Sequence, residues 1–230
     1  MATRGLINVE RRIADAAKRS GRGPDDVTLL AVSKGRTDAA VTELYEAGQR
    51  VFGENRPQGL SQRLEADLPD DIEWHFVGNV QRRAIKVIAP SITLLHSLDR
   101  MSVADAWIRL EDPPPVLIEV NIGEEPQKHG FAPADVHRVA DHLAAGGVPV
   151  HGLMIIPPRE RIANDARRWF VALRELRDTL VAEHPEAGDL SMGMTDDFEV
   201  AVEEGASIVR VGRAIFEPAD DEDNGHSYED

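Results

Sequence analysis

Short apolar runs alternate with amphipathic stretches along most of the chain. The apolar runs have the length and the Val, Leu and Ile content of β-strands that are buried on both faces. The amphipathic stretches have apolar residues three and four positions apart, which is typical of helices that cover a sheet. The pattern predicts strands at residues 27–32, 50–53, 73–77, 93–96, 116–121, 148–154, 189–192 and 207–211.

Each predicted strand is followed by a predicted helix, and one further helix, at residues 6–19, precedes the first strand. The longest helix is expected at residues 162–183, where large apolar residues recur at helical spacing. Strand–helix–strand units connect right-handedly and give a parallel sheet, so this alternation predicts an α/β fold, a single (β/α)8 TIM-type barrel over residues 1–216. A doubly wound open sheet is the alternative, although no dinucleotide-type glycine fingerprint follows any strand.

The composition is that of a globular protein with one core. Of 230 residues, 42% are hydrophobic and 29% are charged. No window approaches the roughly 18 consecutive apolar residues that a membrane span requires, and the first residues lack the apolar segment of a signal peptide. Cysteine is absent, which excludes disulfides and thiolate chemistry, and a cytoplasmic location is expected.

Charge is distributed unevenly along the chain. The formal net charge is −15, and residues 217–230 hold seven acidic residues and no Lys or Arg. Because so acidic a chain repels phosphate, nucleic acids and anionic membranes are not expected as partners. Residues 217–230 also have few apolar side chains, so they are predicted to form a disordered acidic tail, with an acidic docking segment as the alternative.

The first predicted strand leads directly to a lysine. The run Leu29 to Ser33 ends at Lys34, and Gly35 and Asp38 then supply turn and helix-start signals. An amine at the mouth of a buried strand is expected to be partly desolvated and able to condense with an aldehyde. A fully solvated lysine at the end of a strand is the alternative interpretation.

Two later segments are suited to binding a phosphate. Residues 191–195 (SMGMT) and 210–213 (RVGR) follow strands seven and eight, where barrels commonly bind phosphate groups. Taken singly, each could be a turn glycine beside a surface arginine. Together with Lys34 on the same expected rim, they describe a site for pyridoxal 5′-phosphate (PLP), which carries both an aldehyde and a phosphate.

Nine motifs resemble those of the pyridoxal phosphate homeostasis protein family. In chain order they are AVSK (31–34), FGEN (52–55), WHFVGNVQ (74–81), HSLD (96–99), VNI (120–122), KHGF (128–131), GLM (152–154), LSMGMTDDF (190–198) and VRVGRAIF (209–216). The match covers roughly residues 5–216. It implies a barrel similar to the N-terminal domain of alanine racemase, with PLP bound to Lys34 as a Schiff base.

The resemblance also implies a role for each site residue. Ser191 and the backbone of Gly212 and Arg213 would bind the phosphate, and Arg210 would face the pyridine nitrogen. Because an arginine keeps its proton, it would leave that nitrogen unprotonated and weaken the ring as an electron acceptor. The implied cofactor-binding residues are Lys34, Asn55, Met154, Ser191, Arg210, Gly212 and Arg213.

The chain departs from the family pattern in two places. Asn79 stands where the family usually has a histidine, and Arg83–Ala84 replaces its Asn–Lys pair, so no role for this loop is carried over. Few residues follow the eighth strand before the acidic segment, which predicts a short or missing closing helix.

The expected function is that of a carrier. Racemases of this fold need two opposed proton-transfer groups, and their second one is a tyrosine from another domain. Here Tyr45 lies in a predicted helix and Tyr228 in the acidic segment. The sequence therefore predicts a monomer that buffers PLP, or delivers it to PLP-dependent apo-enzymes, without robust catalysis.

Two enzymatic functions remain as alternatives. One is a weak PLP-dependent amino-acid racemase with His75 or Lys128 as the second base, and the other is an aldolase that forms a Schiff base between Lys34 and a sugar phosphate. A metal site is not expected, because the histidines lack the paired spacing of metal ligands.

Overall fold

The structure, a computed structural model, describes residues 2–158 and 163–217. Its strands pair in parallel with their sequence neighbours, and the last strand pairs with the first to close a barrel. This confirms the predicted (β/α)8 fold and excludes the open sheet. The strands are β1 Thr28–Val32, β2 Val51–Glu54, β3 Glu73–Phe76, β4 Leu94–Leu98, β5 Val116–Glu119, β6 Val150–Met154, β7 Asp189–Ser191 and β8 Ile208–Val211.

Helices surround the barrel. Within the described residues, α1 is the longest at 18 residues, whereas α7 has 15, so the expectation that the longest helix follows the sixth strand is wrong. Residues Ala163–Ala166 form a separate 3-10 turn before α7. The α-helices are α1 Ala2–Arg19, α2 Asp38–Glu46, α3 Pro57–Glu65, α4 Ile85–Ile88, α5 Met101–Trp107, α6 Val136–Ala145, α7 Arg167–Val181, α8 Phe198–Glu203 and α9 Arg213–Phe216.

Helix α1 covers the barrel beside the short α9. The apolar face of α1, which includes Leu6, Val9 and Ile13, is buried, and α1 contacts α8 and α9. A Cβ on Gly5 would lie 2.1 Å from the carbonyl oxygen of Ile215, so the two backbones meet at a distance that only glycine allows. As predicted, the closing helix α9 is short.

Side chains of the strands alternate between two apolar layers. The outer layer packs strands against helices and contains large residues such as Phe52 and Trp107. The inner layer fills the barrel with Leu30, Leu94, Leu117, Met154 and Ile208. A polar layer lies above it, toward the carboxyl ends of the strands, where functional groups of such barrels are found.

Two further sequence predictions concern membrane spans and the acidic tail. No helix within residues 2–158 and 163–217 is long and apolar enough to cross a membrane. The predicted acidic tail lies outside the described residues except for Glu217, whose carboxylate is 2.5 Å from Arg36. The division into a barrel at 1–216 and a tail at 217–230 therefore stays a prediction.

Candidate functional site

The lysine loop and the last strand's loop lie side by side on the barrel rim. Strand β1 pairs with β8, with Leu30 opposite Arg210 and Ala31 opposite Val211. A Cβ on Gly212 would lie 3.1 Å from the carbonyl oxygen of Val32, so a larger residue there would crowd the lysine loop. The structure thus brings the amine and the candidate phosphate-binding backbone to one rim, as the barrel prediction required.

Lys34 itself is exposed, so the expectation of partial desolvation is wrong. Strand β1 ends at Val32, two residues earlier, and Lys34 and Gly35 form a turn. Gly35 has a φ of 69°, a left-handed conformation that turns the chain away from the sheet with little strain only because the residue is glycine. Solvent therefore reaches the amine.

A buried arginine holds the lysine loop from below. The guanidinium of Arg63, in α3, donates to the carbonyl oxygens of Ser33 at 3.1 Å and Arg36 at 2.7 Å, one on each side of Lys34. It also donates to Glu54 at 3.2 Å and pairs with Asp38 at the start of α2. Arg63 thus fixes both ends of the turn that carries Lys34.

Glu54 is the buried counterion of this arrangement. It ends β2, and its carboxylate also accepts a hydrogen bond from the Ser33 hydroxyl at 2.8 Å. With Arg63 it forms a buried ion pair, since both side chains are less than a tenth exposed. Such pairs cost desolvation energy and depend on well-satisfied hydrogen bonds.

A chain of hydrogen bonds crosses the polar layer inside the barrel. His75 Nδ1 lies 2.9 Å from His96 Nε2, and His96 Nδ1 lies 2.8 Å from Ser191 Oγ. Arg210 donates to Ser191 Oγ at 2.8 Å, to the Ser191 carbonyl at 2.7 Å and to the Ile155 carbonyl at 2.8 Å. The guanidinium is therefore held in one orientation.

Both histidines of this hydrogen-bonded series, His75 and His96, are uncharged at pH 7. Burial lowers the pKa of His75 to about 4, and burial with the nearby His75 and Arg210 lowers the pKa of His96 well below its usual value. A neutral imidazole has one donor and one acceptor nitrogen. The hydrogen bonds from Ser191 to His75 therefore all run in one direction, and burial disfavours a charge on either imidazole.

Glu119, at the end of β5, is a buried carboxyl group in the barrel interior. Burial and the nearby Asp99 raise its pKa to about 7, although Arg210 and Arg100 act in the opposite sense. Burial lowers the pKa of Arg210 to about 10, offset in part by Glu119 and Asp197. Arg210 thus stays charged at neutral pH, while Glu119 changes its charge there.

The other predicted site residues occupy different depths. Met154 is buried in the barrel interior between Glu119 and Ser191 in the strand register. Asn55, half-buried, follows β2 on the rim. Arg213 is exposed and its guanidinium pairs with Asp196 at 2.6 Å, which leaves its backbone as the part next to Gly212. The contact of Ser191 with a phosphate stays a prediction, because its hydroxyl is bonded to His96 and Arg210.

Tyr45, and the two residues proposed as a second base, His75 and Lys128, all have partners within the structure. The hydroxyl of Tyr45 lies 2.5 Å from Asp71, at the surface. His75 is buried in the hydrogen-bond chain, and Lys128 lies 2.5 Å from Glu125 and 3.0 Å from the Pro157 carbonyl. Tyr228 lies outside the described residues. Among the residues described, no cluster of three or more His, Cys, Asp or Glu could hold a metal ion.

Comparison with known proteins places the chain in a family. No family model matches it, but it is 42% identical over 220 residues to the pyridoxal phosphate homeostasis protein of Aquifex aeolicus, covering 92% of this chain and 95% of that one. The chain belongs to the pyridoxal phosphate homeostasis protein family. The resemblance seen in the nine motifs is thereby confirmed.

Similar solved structures agree with the family and with the barrel fold of this chain. PipY of Synechococcus elongatus, described with PLP bound, matches with a TM-score of 0.76 and 33% identity, over 89% of this chain and 99% of that one. Alanine racemase of Corynebacterium glutamicum, at 17% identity and a TM-score of 0.67, shares only the fold, and the match covers 90% of this chain and 60% of the racemase.

The sequence analysis did not identify three residues of the candidate site, Arg63, Glu54 and Glu119. Arg63 and Glu54 meet Lys34's loop only through packing between separate loops, which no periodic pattern reveals. Glu119 had a signal, because it is the one charged residue in the apolar run 116–121. A charge buried in a strand usually has a function or a partner.

Proposed function

We propose that the protein binds PLP through a Schiff base on Lys34 and acts in PLP homeostasis, by buffering or delivering the cofactor. The single observation that supports this most directly is the pairing of β1 with β8, the two strands that lead into the loops of Lys34 and of Gly212 and Arg213. When bound, PLP supplies an aldehyde for the amine and an electron-accepting ring. Because the relative PipY is described with PLP bound, PLP is a better candidate ligand than a sugar phosphate. The aldolase alternative is correspondingly disfavoured.

The residues present fit such a group. Gly212 leaves open the space that a Cβ would fill beside Val32, and its backbone and that of Arg213 are proposed to bind the phosphate. Arg210, held by Ser191 and Ile155, is proposed to donate to the pyridine nitrogen. Asn55 is proposed to line the rim, and Met154 the ring face, with Ser191 supporting Arg210 and contacting the phosphate from below.

The exposure of Lys34 favours a carrier over a racemase. An enzyme of this type excludes water from the reacting group, whereas here solvent reaches the lysine. A racemase also needs a second base opposite the lysine, and Tyr45, His75 and Lys128 are all engaged elsewhere. Delivery to apo-enzymes, a monomeric state and a cytoplasmic location are parts of this proposal.

The proposal is tested by locating the attachment site. Protein incubated with PLP and reduced with borohydride should carry the label on Lys34, as read by peptide mass spectrometry, and Lys34→Ala should lose it. Lys18→Ala, which changes an exposed lysine of α1, is the matched control and should label normally. A label on another lysine, or none, contradicts the proposal, and rapid interconversion of D- and L-alanine that depends on Lys34 would establish the racemase instead.

A further inference from the structure

A polar cavity of about 450 Å³ lies on the rim between α3 and the segment that follows β3. Its volume is within the range of small-molecule sites. It shares Asn55 with the candidate PLP site and is open to solvent. Its polar side chains include two guanidinium groups and four amides, from Asn55, Arg56, Gln58, Asn79, Gln81 and Arg83.

The inner wall of this cavity is fixed. A Cβ on Gly78 would lie 1.9 Å from the Asn55 carbonyl oxygen, so the loops after β2 and β3 are in direct backbone contact. The Asn79 amide donates to the buried carboxylate of Asp99 at 3.1 Å. Arg100 donates to that carboxylate and to the Val80 carbonyl. Contacts within the protein therefore hold Asn55 and Asn79 next to one another.

The charge around the cavity is not neutralised by the protein. Many arginines of this chain pair with a carboxylate, as Arg12, Arg50 and Arg174 do. In the part of the chain that the structure describes, no carboxylate pairs with Arg56 or Arg83, which line the cavity, or with Arg82 and Lys86, which lie near Arg83 in the sequence. No Asp or Glu occurs between Glu73 and Asp99. In a chain of net charge −15, this is a local region of unbalanced positive charge.

We propose that the cavity is a second anion site, which binds the phosphate monoester of a small molecule without a covalent bond. Guanidinium groups bind phosphate oxygens through paired N–H donors, and the amides can bond to the hydroxyl or amide groups of the attached molecule. The net charge of the chain repels a large polyanion, whereas a small dianion responds mainly to the nearest charges. The proposal does not depend on Lys34 binding PLP.

The test uses the full chain with the Lys34 site filled by PLP and fixed by borohydride reduction, so that the barrel site is blocked. Glycerol 3-phosphate is the probe, and binding is measured by calorimetry. We expect saturable binding that the double variant Arg56→Gln/Arg83→Gln weakens at least about tenfold. The matched control is Lys18→Gln/Arg109→Gln, which removes two exposed cations elsewhere and should leave the affinity unchanged.

Several results would overturn the proposal. These are equal affinity in the double variant, loss of binding once Lys34 is blocked, glycerol binding as well as glycerol 3-phosphate, or inorganic phosphate binding as tightly as the monoester. Because Arg56 and Arg83 are exposed and not ion-paired, the variant should fold, which circular dichroism checks. If the wild type does not take up PLP, the proposed function fails, and the same titration on Lys34→Ala still decides the anion site.

Discussion

Among single residues, Arg63 combines the most contacts around the Lys34 turn. Arg63→Gln removes the cation that pairs with buried Glu54 and frees the carbonyls of Ser33 and Arg36. Breaking a buried pair from one side typically costs about 3–5 kcal/mol, so urea denaturation should show a loss of that order in the free energy of unfolding. We also expect hydroxylamine to release bound PLP faster.

Arg63→Lys is the matched control for this prediction. It keeps the charge beside Glu54 but loses the planar fork that spans the turn. Its free energy of unfolding should fall less than that of Arg63→Gln, while PLP release is still accelerated. Unchanged stability and release in both variants would show that Arg63 neither supports the fold nor holds the turn.

Glu119 should make stability fall as pH rises. Its pKa is raised to about 7 in the folded protein from an ordinary value of 4.5, so between these values the folded state holds a proton that the unfolded state has lost. Unfolding is then favoured progressively from pH 4.5 to 7, by on the order of 3 kcal/mol in total.

Glu119→Gln tests this pH dependence. Relative to wild type, the variant should gain stability between pH 5 and about 8, as measured by urea denaturation at both pH values. His75 acts in the opposite sense, because its pKa is lowered to about 4 from 6.5, and its contribution is common to both proteins. A difference between variant and wild type that does not change with pH would refute the assignment.

At the scale of elements, the contact between α1 and α9 gives a prediction with an unusual sign. Alanine in place of glycine normally stabilises a helix by roughly 1 kcal/mol. At Gly5, a Cβ would lie 2.1 Å from the Ile215 carbonyl oxygen, so Gly5→Ala must push the two helices apart. We expect a net loss of about 1–3 kcal/mol in thermal or urea unfolding.

Gly188→Ala is the control for that substitution. Nothing lies within 4 Å of a Cβ placed there, so stability should stay within about 0.5 kcal/mol of wild type. Stabilisation by Gly5→Ala would mean that α9 moves away from α1 without cost.

The positions of the elements could be predicted better than their ends. Strands buried on both faces read as continuous apolar runs, so all eight were located from the sequence alone. The helix expected after the third strand is instead a 3-10 turn, Arg82–Ala84, followed by the single-turn helix α4 and another 3-10 turn. Pro90 lacks the N–H that a continuing helix would need.

At the scale of the whole molecule, the sequence predicted those features of the candidate site that follow from the closing of the barrel. Eight strand–helix repeats imply that β1 meets β8, and hence that Lys34 meets Gly212. The partners Arg63, Glu54 and Asp38 could not be predicted, because their contacts depend on how side chains of neighbouring loops pack. The link from His75 to His96 required the strand register, which a one-residue shift would have broken.

The protein is expected to be a monomer. Among the described residues, the exposed large apolar side chains belong to three helices and two loops, whereas a stable dimer usually buries one continuous apolar patch. Those side chains are Ile7, Leu64, Val87, Ile156 and Met194. Sedimentation equilibrium should give a mass near 25.3 kDa at all loading concentrations, and a mass that doubles with concentration would contradict the expectation.

The seam between β1 and β8 also has a consequence for how the protein is made. A ribosome releases Lys34 long before Gly212, so a nascent chain has the amine well before it has the strand that completes the rim. Only a finished barrel can therefore capture its small molecule in the proposed way. Fragments and stalled translation products, which carry the same lysine without the proposed phosphate-binding backbone, should therefore hold PLP more weakly than the complete barrel does.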